Sequence, residues 1–158
     1  MEQKIRIGDF EIDTIIGKNH KGAIVSLVDR TSKYTKLIKV ERKTAAEVAQ
    51  AIQKIMWQIR HYAHTMTADN GKEFSYHCEF GKVLGVEVYF ARPYRSCDRG
   101  LNEHTNGLVR QYFPKKTDFD RIDQVDVASV EQKLNTRPRK SLNFKTPEEV
   151  FFNLGLAA

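Results

Sequence analysis

The order of β-like and helical segments is the feature of this sequence that most restricts its fold. Three β-like segments occupy residues 10–16, 23–30 and 34–40, and the connections between them are short. Short connections favour antiparallel neighbours, so these segments predict a three-stranded meander. Helices and strands then alternate, which requires crossover connections and favours parallel pairing. The pattern predicts an α/β protein with a five-stranded mixed sheet flanked by helices.

The later segments are assigned from capping residues and apolar spacing. Thr44, followed three residues later by Glu47, predicts the start of an amphipathic helix over residues 44–60. The remaining segments are predicted to be a strand, a helix, a strand and three helices, at residues 61–69, 74–84, 86–90, 100–112, 118–134 and 147–153. The whole chain of 158 residues has the size of one domain.

The charge balance points to a polyanionic partner. The chain has 26 Lys and Arg residues against 20 Asp and Glu residues, which gives a net charge of +6. Nucleic acid is such a partner, because positive fields speed encounters with phosphate backbones. The sequence lacks an apolar run of the ~20 residues that span a bilayer. It also lacks the apolar region of a signal peptide, so a cytoplasmic protein without a membrane partner is expected.

Two classes of site are disfavoured by the motifs. The two cysteines, Cys78 and Cys97, form no C-x-x-C pair and have no spacing typical of structural zinc. Free thiols are expected instead. The chain also has no glycine-rich phosphate-binding loop, which argues against nucleoside triphosphate hydrolysis.

Three acidic residues stand at informative positions. Asp13 lies in the first strand, Asp69 ends the fourth strand, and Glu103 lies on a later helix. Taken singly, they fit a solvent-facing strand residue, a turn residue and a member of a salt-bridged helix face. Taken together, they fit a ligand site, because partly parallel sheets bind ligands at the carboxyl ends of their strands.

Neighbouring carboxylates repel one another, and a divalent cation removes that cost. Mg²⁺ is commonly held by one or two carboxylates together with substrate phosphates. Two such ions activate the attacking oxygen and stabilise the leaving oxygen in phosphodiester chemistry. A basic domain with an acidic, metal-binding pocket is therefore suited to cutting or joining nucleic acid.

Four blocks of the sequence together resemble a known family. They are GDFEIDTIIGKNHKGAIVSLVDRTSKY, TADNGKEF, RPYRSCDRGLNEHTNGLVRQYFPK and LNTRPRKSLNFKTPEEVF. In this order they resemble the catalytic core of DDE transposases of the insertion sequence 30 type, and more broadly the integrase core. The resemblance covers nearly the whole chain, from Gly8 to about Phe152.

The resemblance implies a fold, a site and a reaction. The fold would be ribonuclease H-like, with the first and fourth strands adjacent. The catalytic and metal-binding acids of the family fall on Asp13, Asp69 and Glu103, which would hold two Mg²⁺ or Mn²⁺ ions. The implied function is cleavage at the ends of a DNA element and transfer of the freed 3′-hydroxyl to target DNA. The partners would be double-stranded DNA and further copies of the chain, in a bacterial, nucleoid-associated setting.

The sequence departs from the family pattern at two places. Phe10 stands where the family usually has Trp, which exchanges one aromatic ring for another. The N-terminal helix-turn-helix region of the family is also missing, so we expect residues 1–7 to be the remnant of a linker to it. Residues 1–158 are thus expected to form a single catalytic core domain.

Basic residues on both sides of the Glu103 helix are candidates for DNA contacts, and Asn106 on that helix is a further candidate. The basic residues are Arg92, Arg95, Arg99, Arg110, Lys115 and Lys116. Tyr94 and Tyr112 lie among them, and arginine with aromatic residues suits backbone contacts and base stacking. The alternative explanation is a solvated basic face.

Two other functions remain open at this stage. A nuclease of the ribonuclease H or junction-resolving type would use the same metal chemistry for hydrolysis only. A catalytically silent core that serves assembly would need no metal, although the presence of all three acids disfavours it.

Overall fold

Five strands form one mixed sheet in the order β3-β2-β1-β4-β5. The computed structural model describes residues 6–92 and 100–157. The strands are β1 (Asp9–Ile16), β2 (Ala23–Asp29), β3 (Thr35–Val40), β4 (Thr65–Ala68) and β5 (Glu87–Phe90). β1, β2 and β3 pair antiparallel, whereas β1–β4 and β4–β5 pair parallel. The predicted mixed sheet, with its meander and its two crossover strands, is confirmed.

Within residues 6–92 and 100–157, five α-helices accompany the sheet. They are α1 (Ala45–Met56), α2 (His77–Leu84), α3 (Gly100–Tyr112), α4 (Gln124–Asn135) and α5 (Pro147–Ala157). None of the helices in the described part of the chain is long and apolar enough to cross a membrane.

Several boundaries differ from those predicted. The first helix was predicted to reach residue 60, but its α-helical part ends at Met56 and continues as a 3-10 helix, Trp57–Tyr62. β4 has four residues instead of nine, because its pairing with β1 begins only at Thr65, opposite Asp9. The helix predicted at 118–134 is two elements, a 3-10 helix at Phe119–Arg121 and α4, because the chain is extended at Ile122 and Asp123 then starts α4 with a capping box.

The sheet buries side chains on both faces. Alternation along β1 sends Phe10 and Ile12 into one core, which α1, α2 and α5 cover. Ile15 points to the opposite face, where it packs with Val109 of α3 and Val127 of α4 in a second core. Asp13 shares this second face, so α3 is the helix that crosses over it. Layers of helices on both sides explain why every residue of β2 is buried.

Side chains of α4 form hydrogen bonds with the backbone groups along the outer edge of β3. The carboxylate of Glu131 accepts the backbone N–H of Leu37 at 2.7 Å, and Gln124 accepts that of Lys39 at 2.9 Å. Asn135 accepts the N–H of Thr35 and donates to its carbonyl, both at 2.8 Å. Each of these groups of β3 would otherwise be an unpaired edge group, so α4 closes this edge against pairing with another chain.

We predict that the packing of α5 on the sheet contributes strongly to stability. Phe151 is fully buried and stacks on Tyr34, with ring centroids 4.5 Å apart. Phe151→Ala should lower the free energy of unfolding by about 3–5 kcal/mol, because it removes a buried ring and leaves a cavity. Urea denaturation measures this loss. The matched control is Phe144→Ala at a residue that is 71% exposed, and an equal loss there would contradict the assignment.

Candidate active site

The parallel pairing of β1 with β4 brings Asp13 and Asp69 to the same place. Glu11 and Thr67 are the last paired residues, and Asp13 and Asp69 each follow two residues later in the chain. Asp69 comes directly after β4, whose last residue is Ala68. The two acids, far apart in the chain, therefore meet at the carboxyl end of the parallel pair, as the sequence predicts.

A cavity of about 130 Å³ lies at this end of the sheet, beneath the start of α3. Its lining residues are Glu11, Ile12, Asp13, Thr67, Ala68, Asp69, Ala91, Asn102 and Glu103. Four of these carry carboxylates, and none of the described lining residues is Lys or Arg. The cavity therefore concentrates negative charge within a protein whose net charge is positive.

Asp13 is held by hydrogen bonds to both carboxylate oxygens. The backbone N–H of Thr14 donates to Oδ1, and the amide Nδ2 of Asn106 donates to Oδ2, both at 2.8 Å. Burial raises the pKa of Asp13 and the nearby charge of Asp69 raises it further, against the lowering effect of these hydrogen bonds. Burial is the largest of these effects, and the charge of Lys43 lowers the pKa only in part.

Asp69 is positioned by a tight turn. Its Oδ1 accepts the backbone N–H of Gly71 at 2.9 Å, which is the turn chemistry that Asp-Asn-Gly predicts. Glu73 supports the turn from the other face of the sheet, where its Oε1 accepts from Lys43 at 2.9 Å and from Thr14 at 3.1 Å. Burial alone would raise the pKa of Glu73, but the Lys43 ammonium and the other hydrogen bonds hold it below its usual value.

Glu103 lies in the first turn of α3 and is exposed, although it lines the same cavity. Within residues 6–92 and 100–157, no three His, Cys, Asp or Glu side chains lie close enough to form a metal cluster. The three predicted acids thus share a cavity without forming a closed cage. Mg²⁺ suits such a site, because it usually keeps several waters and takes few protein ligands.

Glu11 was not predicted as a site residue, yet it lines the cavity and is only 5% exposed. Its Oε1 accepts from Arg30 Nε at 3.0 Å, while its Oε2 has no hydrogen-bond partner among the described residues. Burial raises its pKa, against the lowering effects of Arg30, Lys33 and the backbone N–H of Asn102. Alternation along β1, which places Glu11 on the face of Asp13, was the signal that could have identified it.

The cavity has the chemistry of a cation site. The side-chain oxygens of Glu11 (Oε2) and Asn102 (Oδ1) are buried and have no partner within the described part of the chain. Both are acceptors, as are the oxygens of Asp13, Asp69 and Glu103. Carboxylate and carbonyl oxygens are the ligands of hard divalent cations, so the residues present fit Mg²⁺ or Mn²⁺.

The predicted DNA contacts divide into three groups. Arg92, Lys115 and Lys116 are exposed. Arg95 and Arg99 lie outside the described residues. The same holds for Tyr94 and for Cys97, which was predicted as a free thiol.

The third group is engaged within the protein. Asn106 donates to Asp13, and Arg110 Nη2 donates to the carbonyl of Ile16 at 2.8 Å. Arg110 Nη1 also donates to the carbonyl of Pro114 at 3.4 Å. Arg110 therefore ties α3 to β1, which its position in the sequence did not indicate.

The sequence model of the protein family called the integrase core domain matches residues 6–96 of this chain. The chain belongs to the integrase core family. The transposase of insertion sequence element IS4351 from Bacteroides fragilis is 48% identical over 151 residues, which are 96% of this chain and 46% of that protein. The transposase InsI of element IS30A from Escherichia coli is 40% identical over 151 residues, 95% of this chain and 39% of that protein. The predicted resemblance to transposases of the insertion sequence 30 type is confirmed, and this integrase core chain spans less than half the length of these two relatives.

Two solved structures show the same fold as this integrase core chain. The crystal structure of the catalytic core domain of BIV integrase has a TM-score of 0.72 at 20% identity and covers 94% of this chain and 96% of that one. A chain in the cryo-EM structure of the simian T-cell lymphotropic virus intasome has a TM-score of 0.76 at 15% identity, covering 96% of this chain and 56% of that one. The similarity supports the integrase-like topology of the sheet.

We predict that the turn after Asp69 tolerates no side chain at Gly71. A Cβ added there would lie 2.3 Å from Oε2 of Glu73 and 2.8 Å from Oδ1 of Asp69. Gly71→Ala should therefore cost about 1–3 kcal/mol of unfolding free energy, since Glu73 is buried and paired. Gly107→Ala is the control, because a Cβ there meets open space in the interior of α3. It should stabilise the protein by about 0.5–1 kcal/mol. Equal effects in urea denaturation would contradict the prediction.

Proposed function

We propose that this chain carries the catalytic centre of a DNA transposase, which cleaves and joins phosphodiester bonds with the help of two Mg²⁺ or Mn²⁺ ions. The observation that supports this most directly is the one cavity shared by Asp13, Asp69 and Glu103. The names of the two relatives described above agree with it, as both are transposases of insertion sequence elements. The net charge of +6 suits a DNA substrate.

Asp13, Asp69 and Glu103 are the residues that would hold the ions. When bound, the ions supply activation of the attacking oxygen and charge stabilisation of the leaving oxygen. Asn106 and the backbone of Thr14 orient the carboxylate of Asp13 through the hydrogen bonds described above. The Gly71 N–H orients Asp69 in the same way. These contacts limit the rotation of the carboxylates before any ligand arrives, which lowers the entropic cost of binding.

The reaction is proposed to have two balanced steps. In the first, the oxygen of water bonds to phosphorus at an element end, the bond to the 3′ oxygen breaks, and a 3′-hydroxyl is freed. In the second, this hydroxyl bonds to a phosphorus of target DNA and displaces a 3′ oxygen there, which takes up the proton. One phosphorus–oxygen bond forms as one breaks in each step, so ATP is not required.

The proposed DNA surface uses exposed cations that follow β5 and α3 in the chain. Arg92 follows β5, and Lys115 and Lys116 follow α3, the helix that carries Glu103. Arg95 and Arg99 are proposed from the sequence, whereas Arg110 is left out because its guanidinium binds backbone carbonyls. The partners would be the element ends and target DNA of a bacterial nucleoid. More than one copy of the chain would act together, as one similar chain belongs to an intasome.

We predict that Asp13→Asn, Asp69→Asn and Glu103→Gln each abolish Mn²⁺-dependent nicking of supercoiled plasmid. Each change removes a metal-binding charge while keeping the side-chain shape. A loss of ~3 kcal/mol of transition-state stabilisation lowers the rate roughly 100-fold. The control is Asp123→Asn, since Asp123 caps α4 and Asn caps helices equally well. The assignment fails if the Asn variants of Asp13 and Asp69 nick as fast as the parent.

A strand-transfer assay separates this function from its hydrolytic alternative. The substrate is a duplex with a pre-cut 3′-hydroxyl end, offered together with target plasmid and Mn²⁺. Joining of the duplex to the plasmid supports a transposase. Nicking without joining instead indicates a nuclease of the ribonuclease H or junction-resolving type, and neither nicking nor Mn²⁺ binding indicates a silent assembly core.

We predict that Lys115 and Lys116 contact DNA phosphates. Replacing both with Gln should weaken nonspecific DNA binding, measured by fluorescence anisotropy. It should also reduce the slope of log K against log[salt] by about 2, because each phosphate contact contributes ~0.9 to that slope. Lys54→Gln is the control, as Lys54 is exposed on α1 at the opposite face of the sheet. An unchanged slope in the double variant would show that these lysines do not contact DNA phosphates.

A further inference from the structure

Glu11 and Asp9 lie on the same face of β1 as Asp13, yet their carboxylates differ in how many hydrogen bonds they accept. Asp9 is the less buried, and both of its oxygens accept hydrogen bonds. Arg6 donates to each of them at 2.8 Å and Thr65 adds one to Oδ1 at 2.7 Å. Glu11 has a side chain that is only 7% exposed, and its one ion-pair partner is Arg30, whose side chain is 45% exposed. A structural ion pair that removed Glu11 from water for stability alone would be expected to use both oxygens.

The oxygen of Glu11 that Arg30 does not bind, Oε2, is part of a residue that lines the acidic cavity. Glu11 Oε2 and Asn102 Oδ1 are both buried without a partner among the described residues, and both residues line the cavity with Asp13, Asp69 and Glu103. These two acceptors cannot satisfy each other, although the backbone N–H of Asn102 also lies near the Glu11 carboxylate and lowers its pKa. A buried carboxylate oxygen without a partner is costly, so what completes it must be a donor or a cation.

We propose that Glu11 is a fourth acidic residue of the metal site and that its Oε2 binds a divalent cation in this cavity, directly or through one of the waters of the cation. Arg30 holds the other oxygen, and Oε2 is buried. Four carboxylates also carry the negative charge that two divalent cations balance. Asn102 contributes a neutral oxygen to the same cavity.

This inference depends on the proposed metal site, but it makes a separate claim. The predicted triad requires only Asp13, Asp69 and Glu103. If Glu11 also contacts the ion, Glu11→Gln should weaken metal binding while leaving the metal-free protein at least as stable as the parent, because an incompletely paired buried charge is removed. A purely structural carboxylate would show the reverse: lower stability and unchanged metal affinity.

The test is calorimetric titration of the 158-residue chain with Mn²⁺ in the absence of DNA, combined with melting curves with and without Mn²⁺. The variants are Glu11→Gln, Asp13→Asn and, as the matched control, Asp9→Asn. We expect Glu11→Gln to weaken Mn²⁺ binding at least tenfold, the range typical of residues that support a metal site. Asp9→Asn should bind Mn²⁺ as the parent does.

The outcomes separate the two proposals. Parent-like Mn²⁺ affinity in Glu11→Gln, with Asp13→Asn defective, overturns the role of Glu11 and leaves the proposed site standing. That result would mean that a buried water or an internal donor satisfies Oε2. Absence of Mn²⁺ binding by the parent, or full binding by Asp13→Asn, overturns both proposals together.

A measurement on the unmodified chain keeps the inference testable if Glu11→Gln fails to fold. Titration with Mg²⁺ should shift the ¹³C resonance of the Glu11 carboxyl carbon at the same Mg²⁺ concentrations that shift Asp13. The carboxyl carbon of Asp9, satisfied by Arg6 and Thr65, should stay unchanged. A Glu11 resonance that does not respond while Asp13 does would overturn the proposal.

Discussion

The parallel pairing of β1 with β4 is the constraint on which the site depends. It places Asp13 and the turn at Asp69 side by side at the carboxyl end of both strands. Burial and the nearby charge of Asp69 raise the pKa of Asp13, a cost that a bound cation would offset. The sheet tolerates this cost because its two cores, on opposite faces, bury a large apolar surface. The fold can thus hold charges together that would otherwise separate.

Support for the acids comes from both faces of the sheet. On the face of Asp13, α3 supplies Asn106 as a donor, and Arg110 ties that helix to β1. On the other face, Lys43 forms an ion pair with Glu73, whose side chain lies against the turn at Gly71 that follows Asp69. The site is therefore rigid at its two aspartates. Glu103 lies exposed in the first turn of α3, and within the described part of the chain no side chain holds it in this way.

The order of strands and helices was predictable because it depends on local patterns. Short connections and alternating apolar residues define the β1–β3 meander, and Thr44 marks the start of α1. Boundaries were less predictable where pairing sets them: β4 is short because it begins only at Thr65, where β1 is available. The acids Asp13 and Asp69 were predicted at one edge, and the structure places them there. Glu11 was overlooked, since alternation shows which face it shares but not that α3 and Arg30 bury it.

By itself, the sequence determined the element order, the basic charge and the family blocks that contain Asp13, Asp69 and Glu103, because each is carried by neighbouring residues. Only the tertiary structure decided which side chains are withdrawn from water and which remain unpaired. It showed that Arg110 binds backbone carbonyls and that one oxygen of Glu11 is left open toward the cavity. Burial and hydrogen-bond satisfaction arise from contacts between distant segments, and no local pattern encodes them.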